Sequence, residues 1–448
     1  MLRRALALAA GLVLLVHAIP ARAELRADST MAEGWRLANG LEVRVRHVPG
    51  AAGVAITLAY RAGSLYEPAK HEGLARLLAE VQFTAPVGDV PERRREEMDS
   101  VRPMGWAVTT NEHLALLTEV ASPSQFLGVL HEVAQRAHGV TLTDAALEHA
   151  RATVRRQLGE GLMARPDLAL YYRVAALARG RDDEALLREA SGAGFADLTT
   201  AQVSAQLARL YVPANAALAV VGDFSNVDVR ALIEHEFGGI AAGTARRDTV
   251  GAPLRPGSHT ESLAGLKHPY GALGIIAPAL DDSLAPLFFL TNNILRAWWN
   301  ENYGPPVSPL TTLFQYSPFD DARLARFYYG APVGSSDPQV FRPTLEGGLD
   351  TYSRSSMEKS EIDRIRADNA WLLGGDLPAS LRRLSATNAA PLNLLAITTA
   401  TRACWRGDAF WNRFRERYEK INNYSHYAFS NWILDPKHEV ALLLTPRP

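Results

Sequence analysis

The feature that most constrains the fold is a pattern of elements that occurs twice, about 220 residues apart. Residues 203–224 read VSAQLARLYVPANAALAVVGDF, which predicts a short helix, a turn at a proline and a buried apolar strand. Residues 425–446 read SHYAFSNWILDPKHEVALLLTP and predict the same three elements in the same order. Because this spacing is about half the chain length, we predict a duplicated α+β unit that gives two similar halves.

The boundary between the two halves is predicted from composition. Residues 241–262 are rich in Gly, Pro, Ala, Thr and Ser, which is typical of an interdomain linker. This predicts one domain over residues 24–240 and a second over residues 263–448. The chain has 448 residues, so each half is long enough to bury a core of its own.

The N-terminus has the pattern of a secretory signal peptide over residues 1–23. Arg3 and Arg4 precede a short apolar run, and small residues precede the predicted cleavage site after Ala23. The apolar run is too short to span a membrane, and no later segment is long and apolar enough to do so. We therefore predict a periplasmic or secreted protein that has no membrane span after cleavage.

Composition excludes several classes of function. The chain has 47 Lys and Arg against 48 Asp and Glu, so no basic excess is present to neutralise the phosphates of a nucleic acid. The single cysteine, Cys404, excludes an intrachain disulfide and a zinc site built on cysteines. No two histidines lie four residues apart, which excludes the ordinary zinc helix of the H-E-x-x-H type.

Local periodicity predicts the elements of the first half. Residues 41–46 alternate apolar and polar side chains, and residues 54–60 form an apolar run, so both segments are predicted strands. Apolar residues at i, i+3, i+4 and i+7 from Leu74 predict an amphipathic helix that ends before Pro86. A second helix is predicted to start near Asp144. The mixed-sign run RRREE at residues 93–97 is interpreted as a solvated helix face.

Residues 63–86, GSLYEPAKHEGLARLLAEVQFTAP, resemble the entry to the active-site helix of the pitrilysin/insulinase family, which are zinc peptidases with an inverted H-x-x-E-H motif. Two further segments are similar to the family's opening strand and domain-end strand, namely LANGLEVRVRHVP at 37–49 and YVPANAALAVVGDF at 211–224. The resemblance implies two homologous α/β-sandwich halves joined by a linker, as in the half-clamshell members. It also implies a peptidase that uses zinc.

The residues that make up the zinc site in that family are absent from this chain. The resemblance places two histidine ligands, a general-base glutamate, a supporting glutamate and a glutamate ligand at five positions, which here are Arg76, Glu80, Ala79, Ala150 and Gln157. Arginine is a permanent cation that cannot bind zinc, and alanine has no basic group. We therefore expect a degenerate site without a catalytic residue and without a metal cofactor.

Two interpretations of the altered positions stay open. Arg76 and Glu80 are separated by four residues, the distance at which opposite charges meet on a helix. In the first interpretation they form, with Gln157, a polar cluster that joins two helices without metal. In the second they are an exposed helix pair worth only about 0.3–0.5 kcal/mol.

The resemblance also suggests where a peptide substrate would lie. Family members hold the substrate on an edge strand with Asn-Ala-x-Thr, where this chain has Trp106, Ala107, Val108 and Thr109. Trp106 either narrows the cleft or is an ordinary core residue. An Arg and a Tyr seven residues apart contact the substrate carbonyl in active members. The nearest tyrosine here is Tyr316, and Pro309 stands seven residues before it.

These features favour a non-catalytic subunit that closes around unfolded peptides beside a zinc-bearing paralogous peptidase, or as a homodimer. One alternative is an active metalloendopeptidase with non-standard ligands such as Glu80 and His71. Another is a free-standing peptide-binding protein. None of these interpretations includes nucleic acid as a partner.

Overall fold

The computed structural model describes residues 32–447, with gaps at 89, 165, 182–187, 190, 226, 264–265, 267–268, 304–315, 331–346, 349, 353–357, 423–431 and 434. The predicted signal peptide at residues 1–23 lies outside the described residues, as does the part of the second repeat at 425–431. The description below concerns the described residues.

The strands, numbered in chain order, are β1 (Glu33–Arg36), β2 (Glu42–His47), β3 (Val54–Tyr60), β4 (Trp106–Thr110), β5 (Ala115–Ala121), β6 (Ala216–Gly222), β7 (Gly257–Leu263), β8 (Tyr270–Ile276), β9 (Leu324–Gly330) and β10 (Glu439–Pro446). The helices are α1 (Leu74–Thr84), α2 (Arg95–Val101), α3 (Phe126–His138), α4 (Asp144–Ala164), α5 (Pro166–Ala178), α6 (Thr200–Leu210), α7 (Val229–Phe237), α8 (Ala285–Tyr303), α9 (Lys359–Ala370), α10 (Ala379–Ser385), α11 (Ala390–Cys404) and α12 (Asp408–Glu419). The strand predicted over 54–60 and the helix predicted from Leu74 are confirmed.

The chain forms two compact units, each assembled from separate stretches of sequence. The first unit contains the residues up to Val154 together with Gly194–Val250 and Ala370–Asn412. The second contains Arg155–Ala193, Gly251–Asn369 and the residues from Arg413 onward. Each half of the chain therefore supplies a segment to the unit that is built mainly from the other half.

The first unit contains a sheet with the strand order β1-β2-β6-β3-β5-β4. Strand β6 runs parallel to β2 and antiparallel to β3. Every residue of β3 and β6 is buried, which explains their continuous apolar sequences. Helix α11 packs against this sheet, with Leu392 and Leu395 in one hydrophobic cluster with Ala55 and Val221.

The second unit contains a sheet with the strand order β7-β10-β8-β9. Strand β10 runs parallel to β7 and antiparallel to β8, as β6 does between β2 and β3. A short 3-10 turn with a proline precedes both β6 and β10, at Pro213–Asn215 and Pro436–His438. The duplicated unit inferred from the repeat is thus visible in the strand pairing. Helix α5 covers this sheet through Leu170 and Val174.

The segment predicted as a linker, residues 241–262, is partly a strand. Its first part has no regular structure, whereas Gly257–Leu263 forms β7. This strand pairs in parallel with β10, from Gly257 opposite Val440 to Leu263 opposite Pro446. Composition missed it because an exposed edge strand with polar residues has no apolar periodicity to reveal it.

Asp223 follows β6 and holds the turn between β2 and β3. Its carboxylate accepts hydrogen bonds from the backbone N–H groups of Gly50 (2.7 Å) and Ser225 (3.1 Å), and it lies 3.2 Å from Nε2 of His47. Burial raises the pKa of this carboxyl, but hydrogen bonds from Ser225, Gly50 and His47 outweigh burial and lower the pKa to about 2.

Asp223→Asn is expected to destabilise the protein at pH 5, and this deficit is expected to shrink as the pH falls from about 4 to about 2. The reason is that a carboxyl group with a lowered pKa stabilises the fold above its unfolded-state pKa and loses this effect as the pH falls through its folded-state pKa. Urea unfolding at several pH values measures this. The exposed Asp197, changed to Asn, is the control, and a deficit that does not vary with pH would contradict the prediction.

Candidate functional site

The start of the helix that carries the altered zinc motif is fixed by two local features. Gly73 adopts a left-handed conformation (φ 88°) directly before the helix, which glycine does without strain. The carboxylate of Glu67 accepts a hydrogen bond from the backbone N–H of Ala75 at 2.8 Å, which satisfies a free donor of the first turn. The segment that resembles the family's helix entry thus serves as a helix cap.

Glu80 is buried in α1 and forms an ion pair with Arg95 of α2. Its side chain is 2% exposed, and both of its carboxylate oxygens accept from Nε of Arg95 at 2.9 Å, with Nη2 at 2.8 Å. In the described structure Arg95 is therefore a cation that this carboxylate binds, and the cluster of Glu80 with Arg76 and Gln157 stays a prediction. Arg76 lies on the same helix as Glu80, whereas Arg95 lies on the neighbouring helix α2. The packing of α2 against α1 therefore brings Arg95 to Glu80, not the spacing of residues along one helix.

Aromatic rings surround this ion pair. The guanidinium of Arg95 lies over the ring of Trp106 at 4.9 Å from its centroid. The same ring stacks on Phe83 of α1, with centroids 5.7 Å apart and planes inclined by 17°. The indole N–H of Trp106 donates to Asp99 at 3.0 Å. Trp106 therefore joins the edge strand β4 to α1 and α2, beside Glu80.

A second network of charged side chains lies beside the first. Glu119 of β5 is 3% exposed and binds Arg93 (2.8 Å) and Arg102 (2.6 Å). Both arginines also bind Glu132 of α3, at 2.7 and 2.6 Å. A third arginine, Arg136, is buried nearby, and burial together with the charge of Arg93 lowers its pKa to about 9. This network ties together β5, α3 and the residues directly before and after α2.

The residues at the motif positions do not fit a zinc ion. Arg76 carries a positive charge, Ala79 has no donor atom, and the Glu80 carboxylate is already bound by Arg95. His71, proposed with Glu80 as a non-standard ligand, lies 2.8 Å through Nδ1 from the carbonyl oxygen of Gly194. Across the described part of the chain, no three His, Cys, Asp or Glu residues are gathered as a metal site requires.

The predicted substrate strand is β4, which lies at the edge of the sheet in the first unit. It pairs with β5 through Trp106 opposite Glu119 and Thr110 opposite Ala115. Ala107 is half-buried and Thr109 is exposed. The open edge of β4 can accept a further extended strand, because backbone groups on that side have no partner strand in the described structure.

The remaining predicted residues lie in different surroundings. Ala150 is buried and Gln157 is exposed, both on α4. Tyr316 is 7% exposed, packs against Phe288 with ring centroids 4.8 Å apart, and donates its hydroxyl to the carbonyl of Ala322 at 3.2 Å. It is therefore a core residue of the second unit, and Pro309 lies outside the described residues.

Sequence reasoning missed Arg95 and Arg93 because both belong to the charged run RRREE. The run was interpreted as a solvated face, and α2 does begin there, but the side chains of Arg93 and Arg95 are only 7% and 21% exposed. One signal could have found them, namely that a buried glutamate in an apolar helix face requires a cation nearby.

Comparison with known proteins shows which folds this chain is similar to. Residues 197–317 match the family model described as the peptidase M16 inactive domain. The fold is similar to that of a protease from Helicobacter pylori, with 14% identity, 93% of this chain and 100% of that chain covered, and a TM-score of 0.72. The fold of this chain is pitrilysin/insulinase-like. No curated protein matches this pitrilysin/insulinase-like chain.

Two further solved structures resemble this pitrilysin/insulinase-like chain. One is the peptidase M16 inactive domain from Pseudomonas fluorescens, with 15% identity, 93% and 98% coverage and a TM-score of 0.66. The other is a chain of complex III2 from Candida albicans with Inz-5 bound, with 14% identity, 92% and 95% coverage and a TM-score of 0.65. These matches confirm the predicted α+β fold class over nearly the whole chain. None of the helices in the described ranges combines the length and apolar character needed to cross a bilayer.

Proposed function

We propose that this chain is an exported, non-catalytic pitrilysin/insulinase-like subunit that works beside a zinc-bearing paralogous peptidase, a homodimer being the other possible assembly. In this role the partner supplies the zinc site, and this chain supplies part of the surface that holds an unfolded peptide. Cleavage after Ala23 would release it into the periplasm or the medium.

One observation carries the proposal. The second motif position is Glu80, whose buried carboxylate already binds the guanidinium of Arg95. Binding zinc there would require breaking this ion pair and leaving Arg95 without its carboxylate, which is unfavourable by about 2 kcal/mol because Arg95 is partly exposed. Since Ala79 also removes the general base, the position can support neither metal binding nor proton transfer from water.

Peptide contact is proposed for the open edge of β4. An extended peptide can add to an edge strand through main-chain hydrogen bonds that do not depend on its sequence. Trp106 and Thr109 lie on this strand, and Trp106 is already packed between Phe83 and Arg95. The similar chain from Candida albicans is part of complex III2, which supports assembly with other subunits as a role for this fold.

The decisive experiment is purification of the tagged full-length chain from its own host under mild conditions. The N-terminal residue, the zinc content and the mass of the assembly are measured, and co-eluting chains are sequenced. We expect a chain that begins at Glu24, zinc only in fractions that contain a second chain with an H-x-x-E-H motif, and peptidase activity in those same fractions. One zinc atom per chain in the isolated protein would overturn the proposal, and an assembly of this chain with itself would identify the homodimer.

Glu80→Gln separates a structural glutamate from a metal ligand. We expect the free energy of unfolding to fall by about 2 kcal/mol, because Arg95 loses its charged partner but is partly exposed and regains some hydration. Zinc content and peptidase activity of the assembly are expected to stay unchanged. The exposed Glu96→Gln is the control, with a change of about 0.5 kcal/mol or less in chemical unfolding. Loss of zinc or of activity in Glu80→Gln at unchanged stability would favour the enzyme with non-standard ligands.

A further inference from the structure

Asn215 lies fully buried in the first unit and joins three segments through its side-chain amide. Nδ2 donates to the carbonyl oxygens of Leu210 at 2.7 Å and Arg61 at 3.1 Å. Oδ1 accepts from the backbone N–H of Arg246 at 3.1 Å. These contacts bring together the end of α6, the end of β3 and the segment after α7. Each of these segments carries an arginine at this point, namely Arg61, Arg209 and Arg246.

The two residues that follow Arg246 are also held by contacts with the rest of the unit. The hydroxyl of Tyr66 donates to the carbonyl oxygen of Arg247 at 3.2 Å. Nε of Arg61 donates to the carboxylate of Asp248 at 3.1 Å. Because contacts hold the backbone both at Arg246 and just after it, the position of Arg246 is set by the fold.

In the part of the chain that the structure describes, the three arginines around Asn215 have one carboxylate partner among them, that of Asp248. Arg61 has Asp248 as its partner, but Nε and Nη2 of Arg209 donate to the neutral amide oxygen of Gln206, at 3.0 and 2.6 Å. Nε of Arg246 is buried and has no hydrogen-bond partner in the described structure. No carboxylate among the described residues forms an ion pair with Arg209 or Arg246. Asn215 thus holds the backbone of Arg246 beside the end of α6, which carries Arg209. The nearby carboxylate of Asp248 is bound by Arg61.

Ordinary structural roles explain only part of this arrangement. A cation in the last turn of a helix is favoured by the helix dipole, which accounts for Arg209 in α6. It does not account for Arg246, whose backbone N–H is held by Asn215 beside the end of that helix. Burial and the charge of Arg246 both lower the pKa of Arg209, as expected where a second positive charge lies nearby. An anion between them would remove this repulsion.

We propose that Arg209 and Arg246 form a binding site for an oxyanion, either a carboxylate or a phosphate-type group, with Arg61 beside it. Guanidinium groups bind such anions through two parallel N–H···O hydrogen bonds, a geometry that suits both classes of oxyanion. The free C-terminal carboxylate of a peptide and inorganic phosphate share this chemistry.

The test is thermal unfolding of the full chain at constant ionic strength with three probes: inorganic phosphate, a short acetylated peptide with a free C-terminal carboxylate, and the same peptide as its C-terminal amide. We expect a saturable rise in Tm with phosphate or with the free-carboxylate peptide, because a ligand that binds only the folded state stabilises it. Arg246→Gln is expected to weaken binding about ten- to a hundred-fold, the effect of losing a charged hydrogen bond. A response to the acid but not to the amide identifies a peptide carboxylate, and a response to phosphate only identifies a phosphate-type ligand.

Two further measurements test whether the anion response depends on Arg209 and Arg246. Arg230→Gln, an exposed arginine paired with Glu234 at 3.2 Å, is the control and should keep the wild-type response. Without any anion, Arg246→Gln should be no less stable than the wild type, since it removes a repulsion. Absence of a saturable shift with every probe, or an unchanged shift in both Arg209→Gln and Arg246→Gln, would overturn the site. The zinc and assembly measurements do not involve these arginines, so the two proposals fail independently.

Discussion

Expression of residues 24–250 without the rest of the chain is expected to yield a polypeptide with no cooperative unfolding transition. This fragment contains all six strands of the first sheet but lacks α11, which belongs to the same unit and comes from the far end of the sequence. Leu392, Leu395 and Ala396 of α11 are completely buried in the cluster that covers this sheet. Burial of each large apolar side chain contributes about 1.5–3 kcal/mol, so the loss of the helix removes much of a typical stability of about 5–15 kcal/mol.

Co-expression of residues 24–250 with residues 251–448 is the matched control. Both units can then be completed, because each fragment again meets the segment that the other supplies. We expect a soluble complex with a single unfolding transition, measured by circular dichroism and size-exclusion chromatography. A cooperative transition in the 24–250 fragment by itself would show that α11 is dispensable for the first unit, and would contradict the prediction.

Glu119→Gln is expected to lower the free energy of unfolding by about 3–5 kcal/mol. The substitution keeps the size of the side chain but removes the charge that Arg93 and Arg102 share. Both arginines are 7% exposed at their side chains, so water cannot replace the lost partner. Arg136 is buried close by and adds a third positive charge to the same region. Urea unfolding measures the change through the midpoint at constant slope.

Glu132→Gln is the control for this network. Glu132 binds the same two arginines, but its side chain is 34% exposed, so solvent can partly take its place. We expect a loss of about 1 kcal/mol. Burial raises the pKa of Glu132, yet the hydrogen bonds and charges of Arg93 and Arg102 outweigh it and lower the pKa, so its contribution should decline in acid. Equal losses for the two substitutions would show that burial does not control the strength of these pairs.

The structure gives a physical account of how α1 stays folded with a buried acid in it. Glu80 is 2% exposed, and a buried carboxylate is unfavourable without a positive partner. Here Arg95 provides the positive charge, and Trp106 shields it from water on one side. The space between α1, α2 and β4 is thus filled by side chains that stabilise the fold, which is consistent with a supporting role for this chain.

Several elements could be predicted from sequence because their signals are local. The strand at 54–60 and the helix from Leu74 follow from periodicity, and their bounds agree with the structure to within a residue or two. The repeat predicted the duplicated unit, since a turn at a proline followed by an apolar strand is a local pattern. Strand β7 at Gly257–Leu263 was missed because its sequence is polar and its pairing with β10 connects residues about 180 positions apart.

The sequence by itself determined which side chains are absent from the zinc motif, since residue identity at Arg76, Ala79 and Glu80 depends on nothing else. It also determined the strands and helices whose apolar faces repeat at a fixed period. Only the tertiary structure decided that Arg95 binds Glu80, and that α11 packs on the first sheet. The physical reason is that a buried charge pairs with the opposite charge that tertiary packing brings within hydrogen-bond distance. In the same way, the apolar face of a sheet packs against a helix that can come from a distant part of the sequence. The spacing of residues along the sequence specifies neither the ion pair nor the packing of this helix on the sheet.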